Sequence, residues 1–157
     1  MSKYIHYIQS DSDNQKRNLE THFGSILYSK CDGLNAKGKR KNVYTESFSE
    51  NDTLKVWQGD VVTRETTKIT LTLYFLDNGQ TTRQEAFDNL YNYIKNGKFY
   101  YWDTARHKKV YCILQDEYKP SEERWHGGTP YIAATITLQN LWGEGKDCDD
   151  NGNISTI

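Results

Sequence analysis

The chain carries four histidines, His6, His22, His107 and His126, and three cysteines, Cys31, Cys112 and Cys148. None of them stands at HxH, HExxH or His–Cys ligand spacing. Three widely separated cysteines make neither a disulfide framework nor a zinc knuckle. Cys112, inside the apolar run 110–114, reads as a small core residue. Asp103, Arg106 and His107 fall together in "WDTARHKK", where a carboxylate and an imidazole could trade a proton. The same composition describes a solvated, charged hairpin turn, and that is the reading adopted. Cys112, His126 and Asp116 can be drawn as a nucleophilic triad, but no nucleophile elbow or oxyanion loop surrounds Cys112. Glu122 and Glu123 could join a distant carboxylate for glycoside hydrolysis; two adjacent glutamates in a polar stretch read instead as a charged loop. No P-loop or dinucleotide fingerprint occurs, and Gly127-Gly128 reads as a turn. The expectation is a protein with no catalytic residues and no cofactor.

Two segments suggest ion or phosphate binding. "DCDDNG" places Asp147, Asp149 and Asn151 at positions 1, 3 and 5 of a calcium loop, with Gly152 at 6. The acidic residue of position 12 does not follow and no helices flank the segment, so it reads as an acidic tail and no metal is assigned. The basic run Lys37, Lys39, Arg40, Lys41 could touch phosphate. It lacks interleaved aromatics, and Gly38 loosens it, so a solvated loop is the simpler reading. Asn51-Asp-Thr53 and Asn153-Ile-Ser155 match the glycosylation sequon, which means little without a secretion signal.

These residues sit on a chain of strands with one helix. "FGSILYS" (23–29), "VYTESF" (43–48) and "TLKVWQ" (53–58) read as strands, with a Gly- and Lys-rich loop at 33–42. "TTKITLTLYFL" (66–76) alternates best, with Ile69, Leu71, Leu73 and Phe75 on one face. "TTRQEAFDNLYNYIKNG" (81–97) predicts a helix over about 82–96. Thr82 and Glu85 fit a capping box; Ala86, Phe87, Leu90, Tyr91 and Ile94 form one stripe; Asn96-Gly97 supplies a stop. Residues 99–117 predict a hairpin turning near 103–107, with the helix lying on one of its faces. "YKPSEERWHGGT" (118–129) reads as a long polar loop, and 130–142 as the last strand. Residues 1–20 read as an N-terminal arm, 21–142 as one split-barrel-like domain, and 143–157 as a flexible polar tail. The class is α+β, mainly β: an antiparallel β-sandwich or split barrel with one packed helix.

Bulk properties narrow the function. A length of 157 residues suits one domain. The net charge of −1 drives the chain onto neither nucleic acid nor anionic lipid. There is no apolar run long enough to cross a membrane, and residues 1–18 lack the apolar core of a signal peptide. Twelve tyrosines, and four consecutive aromatics at Phe99, Tyr100, Tyr101 and Trp102, exceed what one strand face can bury, because side chains alternate. One set is expected under the helix; the other calls for a second cover.

The second half, "TRETTKITLTLYF", then the capped helix, then "GKFYYWDTARHKKVYCIL", a polar loop and "YIAATITLQNLWG", resembles the ring-forming proteins of long-tailed bacteriophages. It is most similar to the N-terminal domain of distal tail proteins, which share a split barrel with tail tube proteins. Asp103 and Arg106 fall on that family's aromatic–Asp–turn–Arg hairpin, and "FGSILYSKCDGLNAKGKRKNVYTESFSENDTL" on its opening hairpin and long internal loop. The resemblance covers about residues 20–142 and rests on the order of elements. It implies a non-enzymatic virion tail protein, assembled in the bacterial host cytoplasm as a hexameric ring. The implied partners are further copies of itself and tube, tape measure or baseplate hub proteins, with DNA only in transit. A head–tail connector or tail terminator is the nearest alternative. From another class, a ligand-binding β-sandwich would use Trp57, Trp102 or Trp125 as a platform for sugar or peptide. The expected subunit-interface residues are Tyr100, Trp102, Trp125, Lys39, Arg40 and Lys41.

Overall fold

In the computed structural model, which describes residues 4–38, 65–120 and 129–154 in full and the backbone of 43–47, 54–58 and 122–126, the strongest alternation in the sequence becomes the most regularly buried strand. Along β6 (Thr67–Leu76), Ile69, Leu71, Leu73 and Phe75 are buried, and the residues between them face outward. The other elements are β1 (His6–Ser10), β2 (Arg17–Asn18), β3 (Ser25–Asp32), β4 (Val43–Ser47), β5 (Leu54–Gln58), α1 (Arg83–Ile94), β7 (Phe99–Asp103), β8 (Lys108–Leu114), β9 (Glu122–His126), β10 (Thr129–Asn140) and β11 (Lys146–Asp147).

β10 organises the sheet. It pairs with β6 from Tyr131↔Leu76 to Asn140↔Thr67, which sets Ile132, Ala134, Ile136 and Leu138 opposite Phe75, Leu73, Leu71 and Ile69 on the core face. Its other edge is shared. β9 takes the first part (Thr129↔His126 to Ala133↔Glu122), and β8 takes the end (Leu138↔Leu114 to Asn140↔Cys112). The strand order is β2-β1-β7-β8-β10-β6-β3, with β9 and β11 off this path on β10 and β8. Every described pairing is antiparallel, and the sheet does not close into a barrel. β4 and β5 form a separate two-stranded ribbon.

Helix α1 starts where its cap chemistry places it. The Thr82 hydroxyl accepts the Glu85 N–H at 3.2 Å, and Asp77 accepts the Arg83 N–H at 2.7 Å. Ala86, Phe87, Leu90 and Ile94 form its buried stripe. That stripe packs chiefly on β6, β10 and β3 rather than on the β7–β8 hairpin that the sequence suggested, whose Phe99, Val110 and Cys112 join the same core. The Phe87 ring stands edge-on to Phe75, with centroids 5.2 Å apart, and the Tyr118 hydroxyl donates to the Phe87 carbonyl.

Three segments expected to be irregular are part of the fold. Within the supposed arm 1–20, β1 pairs with β7 from His6↔Asp103 to Ser10↔Phe99, and Ile8 and Leu19 are buried. Within the supposed loop 118–129, β9 pairs with β10. Within the supposed tail 143–157, β11 pairs with β8, and Cys148 forms a bridge with Ile154. In each case the pairing partner is a strand whose own apolar pattern is much stronger.

The helix interface is the most direct test of the packing. Leu90 is only 1% exposed. Leu90→Ala should cost about 2–5 kcal/mol in urea unfolding, through lost burial and the cavity left behind.

Candidate functional site

Asp103 is the only acidic residue that is fully buried among the described residues. It ends β7 and holds the turn that follows. Its Oδ1 accepts the N–H groups of Ala105 (3.0 Å) and Arg106 (2.6 Å), while His107 takes φ 54° to complete the reversal. Its Oδ2 accepts from Arg106 Nε at 3.0 Å and Nη2 at 2.8 Å. Arg106 does not stop there. Nη2 also donates to the Tyr28 hydroxyl at 2.8 Å, and Nη1 to the Cys31 carbonyl at 3.3 Å, both on β3. Burial opposes the guanidinium charge, yet the Asp103 carboxylate outweighs it and holds Arg106 above its ordinary value.

His6 of β1 fills the remaining gap. Its ring stacks on Tyr28 with centroids 3.9 Å apart, its Nδ1 shares a 3.1 Å hydrogen bond with the Tyr101 hydroxyl, and Asp103 Oδ2 lies 3.9 Å away. Burial pulls the His6 imidazole below its usual value; Asp103 works against that and Arg106 with it. His6, Tyr28, Tyr101, Asp103 and Arg106 together form a seam. It ties β1 and the β7–β8 turn to β3, near the other end of the strand order. The Asp103 carboxylate, the Arg106 guanidinium and the Tyr28 hydroxyl are bonded to one another, so the seam fastens these elements as a clasp does.

The outer face of β7 and β8 carries the second set of aromatics. Trp102 is 0% exposed. Tyr7 lies against it at 5.4 Å, and the backbone of Gly152 crosses it so closely that a Cβ there would come within 2.7 Å of the indole. The indole N–H donates to the Asp150 carbonyl, and Lys109 Nζ, 4.8 Å from the Trp102 ring, donates to the Gly152 carbonyl. Further contacts hold this strap: His107 with Asp150, Lys108 with Asp147, and Lys16 with Asn151. Beside it Tyr100 stacks on Tyr111 at 4.5 Å, and both rings lie against Trp142.

The sequence-derived residues therefore separate. Trp102, expected at a subunit contact, is sealed by residues 150–152 of its own chain. Tyr100 stays half-buried on the surface. Trp125 lies on β9 opposite Pro130. Lys39, Arg40 and Lys41 lie outside the described residues. Asp147, Asp149 and Asn151 do not converge. Asp147 pairs with Lys108, Asp149 accepts the N–H groups of Asn151 and Asn153, and Asn151 accepts from Lys16. Among the described residues no group of three or more His, Cys, Asp or Glu side chains is placed to hold a metal ion. Cys112 is buried in the core with its thiol pushed up by that burial. The sequence reading placed Asp103 and Arg106 in one turn but took it as solvated, and it missed His6 and Tyr28. The only signal for those two was an aromatic-rich N-terminal stretch beside a Tyr on a strand.

Two measurements probe these contacts. The unfolded imidazole titrates near about 6.5 and the folded one lower, so the unfolded chain binds more protons below that pH. The His6 contribution should be complete above about pH 6.5 and decline as pH falls below it. Denaturation midpoints from pH 7.5 to 5 should fall more steeply for the wild type than for His6→Phe. Gly152→Ala should cost about 1–3 kcal/mol, because the new methyl has no room against Trp102. Urea unfolding would read this loss.

No family model and no curated protein sequence matches the chain. Among solved structures it is similar to a chain of the phage p2 baseplate in its activated conformation with Sr, with a TM-score of 0.55 and 10% identity. The match covers 89% of this chain and 45% of that one, so this chain spans less than half the length of its structural neighbour. At that identity the likeness is one of fold, and the fold is one found in a phage tail baseplate.

Proposed function

We propose that this chain is a structural subunit of a phage tail, or of a phage-derived tail, that assembles with copies of itself into a ring around a channel. The observation that carries the reading is the shared fold with a baseplate chain across 89% of this sequence. The seam agrees with it: the groups best suited to chemistry, Asp103, Arg106 and His6, are used to hold the sheet in one shape. The ring is hexameric, as in the family the sequence resembles. It forms part of the tube or its distal end and contacts tube, tape measure or hub proteins. DNA passes through without being gripped, in keeping with a net charge of −1. The protein is then a virion component, assembled in the host cytoplasm.

A sugar- or peptide-binding module built on Trp102 is disfavoured, since that indole is covered by its own chain. Negative-stain imaging and light scattering of the purified protein test the reading. Rings with a central channel, or stacks of them, are expected at micromolar concentration and above. A protein that remains monomeric under all assembly conditions would overturn it.

A further inference from the structure

An asparagine followed by glycine exposes its side-chain amide to attack by the next backbone nitrogen, because glycine has no Cβ to block the approach. The chain has three such pairs, Asn78-Gly79, Asn96-Gly97 and Asn151-Gly152. The fold treats them differently. Asn151-Gly152 is held at both residues. Asn151 Oδ1 accepts from Lys16 Nζ at 2.6 Å, and the Gly152 N–H donates to the Asp149 carbonyl at 3.1 Å. Gly152 is also buried against Trp102. Asn78-Gly79 is exposed, but Asn78 Oδ1 accepts the N–H groups of Gln80 at 2.8 Å and Thr81 at 2.7 Å, which fixes that side chain.

Asn96-Gly97 has neither restraint. The pair lies past the end of α1, whose capping bond runs from the Lys95 N–H to the Tyr91 carbonyl. Both residues are exposed, and together with Ser10, Asp11, Ser12 and Lys98 they line a cleft open to water. A Cβ at Gly97 would meet nothing within 4 Å. Among the described residues no hydrogen bond holds the Asn96 side-chain amide, and the Gly97 N–H enters none of the bonds that close turns, loops or caps.

We propose that Asn96 is a modification site, where the folded chain deamidates and places an isoaspartyl link between α1 and β7. The Gly97 nitrogen attacks Asn96 Cγ. The N–Cγ bond forms, the Cγ–Nδ2 bond breaks, the Gly97 amide proton passes to solvent, and Nδ2 takes up a proton and leaves as ammonia. Water then opens the succinimide. Attack at Cγ gives aspartate; attack at the main-chain carbonyl carbon gives isoaspartate, with an extra methylene in the backbone. The connector has little slack for it. Ile94 and Phe99 at its two ends are 3% and 2% exposed, and the Lys98 carbonyl accepts the Asp11 N–H at 2.9 Å, just beyond the Ser10↔Phe99 pair that ends β1. The added length is taken up most cheaply at that exposed hydrogen bond, since moving Ile94 or Phe99 disturbs the core. The chemistry holds whether or not the chain forms rings.

The test incubates the full chain at neutral pH, folded and in urea, and follows pepsin peptides by mass spectrometry over time. The peptide containing Asn96 is expected to gain about 1 Da at a similar rate in both conditions. Folding should slow the same gain at Asn151 by at least about tenfold, with Asn78 between the two. Equal rates at the three sites of the folded chain, or an Asn96 slowed as much as Asn151, would overturn the proposal. Asn96→Gln, whose amide sits one carbon further from the Gly97 nitrogen, should abolish the gain in that peptide and leave the other two unchanged; a gain that persists there would also overturn it. The isoaspartyl fraction, identified by enzymatic methylation of its carboxylate, should exchange amide hydrogens faster over residues 10–12 than Asn96→Asp, which carries the charge without the extra methylene. Equal exchange in the two would sink the effect on β1.

Discussion

A carboxylate with no access to water has to be paired, and that constraint on Asp103 shapes the rest of the molecule. The desolvation of such a charge is offset only by well-placed donors. Two backbone N–H groups and two guanidinium N–H groups supply them. Because the guanidinium belongs to Arg106, and Arg106 also reaches Tyr28 and Cys31, the residue that satisfies the turn also fastens β3. Removing one partner of a buried pair typically costs about 3–5 kcal/mol, whereas replacing both by apolar groups can be nearly neutral. The pair is therefore better understood as fixing one curvature of the sheet than as a net source of stability. An open sheet has no hydrogen-bond ladder to set where its ends lie. Here side chains set it.

The same economy governs the edges. The N–H groups of Ile26 and Tyr28 face away from β6 and are taken by the Glu20 carbonyl and carboxylate, and the Cys31 carbonyl is taken by Arg106. The outer edge of β3 is thus occupied by side chains and loop, which blocks uncontrolled strand addition. The register shift between Tyr28 and Lys30 falls in the pairing of this edge strand with β6. On the opposite half, Gly152 and its neighbours press on Trp102, so an aromatic that would otherwise face solvent becomes part of a second, smaller core.

What the sequence disclosed follows from how local each signal is. β6 and α1 were legible because their periodicity needs no partner: Ile69 to Phe75 alternates by itself, and Thr82 caps its own helix. β9 was read as a loop because its sequence, EERWH, is charged, and strands at sheet edges are often charged for that reason. β1 was read as an arm because its partner, β7, lies about ninety residues further on, and the polar run after Ser10 hid it. Trp102 was read as an interface residue because nothing in its neighbourhood announces that a glycine fifty positions later will cover it. The Asp103–Arg106 turn was visible as a turn, but its burial was not. Burial there depends on His6 and Tyr28, and neither can be placed before the topology is known.

Asp103, Arg106 and His6, which carry groups suited to proton transfer, are also the residues that fasten the turn and the sheet. A catalytic carboxylate needs an acceptor position free for substrate; Asp103 already receives four donors. A nucleophilic thiolate needs a lowered pKa; burial pushes Cys31 up to about 12 and Cys112 higher still. Among the described residues the polar groups of the seam are committed to shape. Surfaces are what distant relatives of one fold share least. At 10% identity, the similarity to a baseplate chain preserves a path of strands and a helix, not a set of contacts. What this chain recognises must then be read from its own surfaces and edges, where the register and the exposed side chains are specific to it.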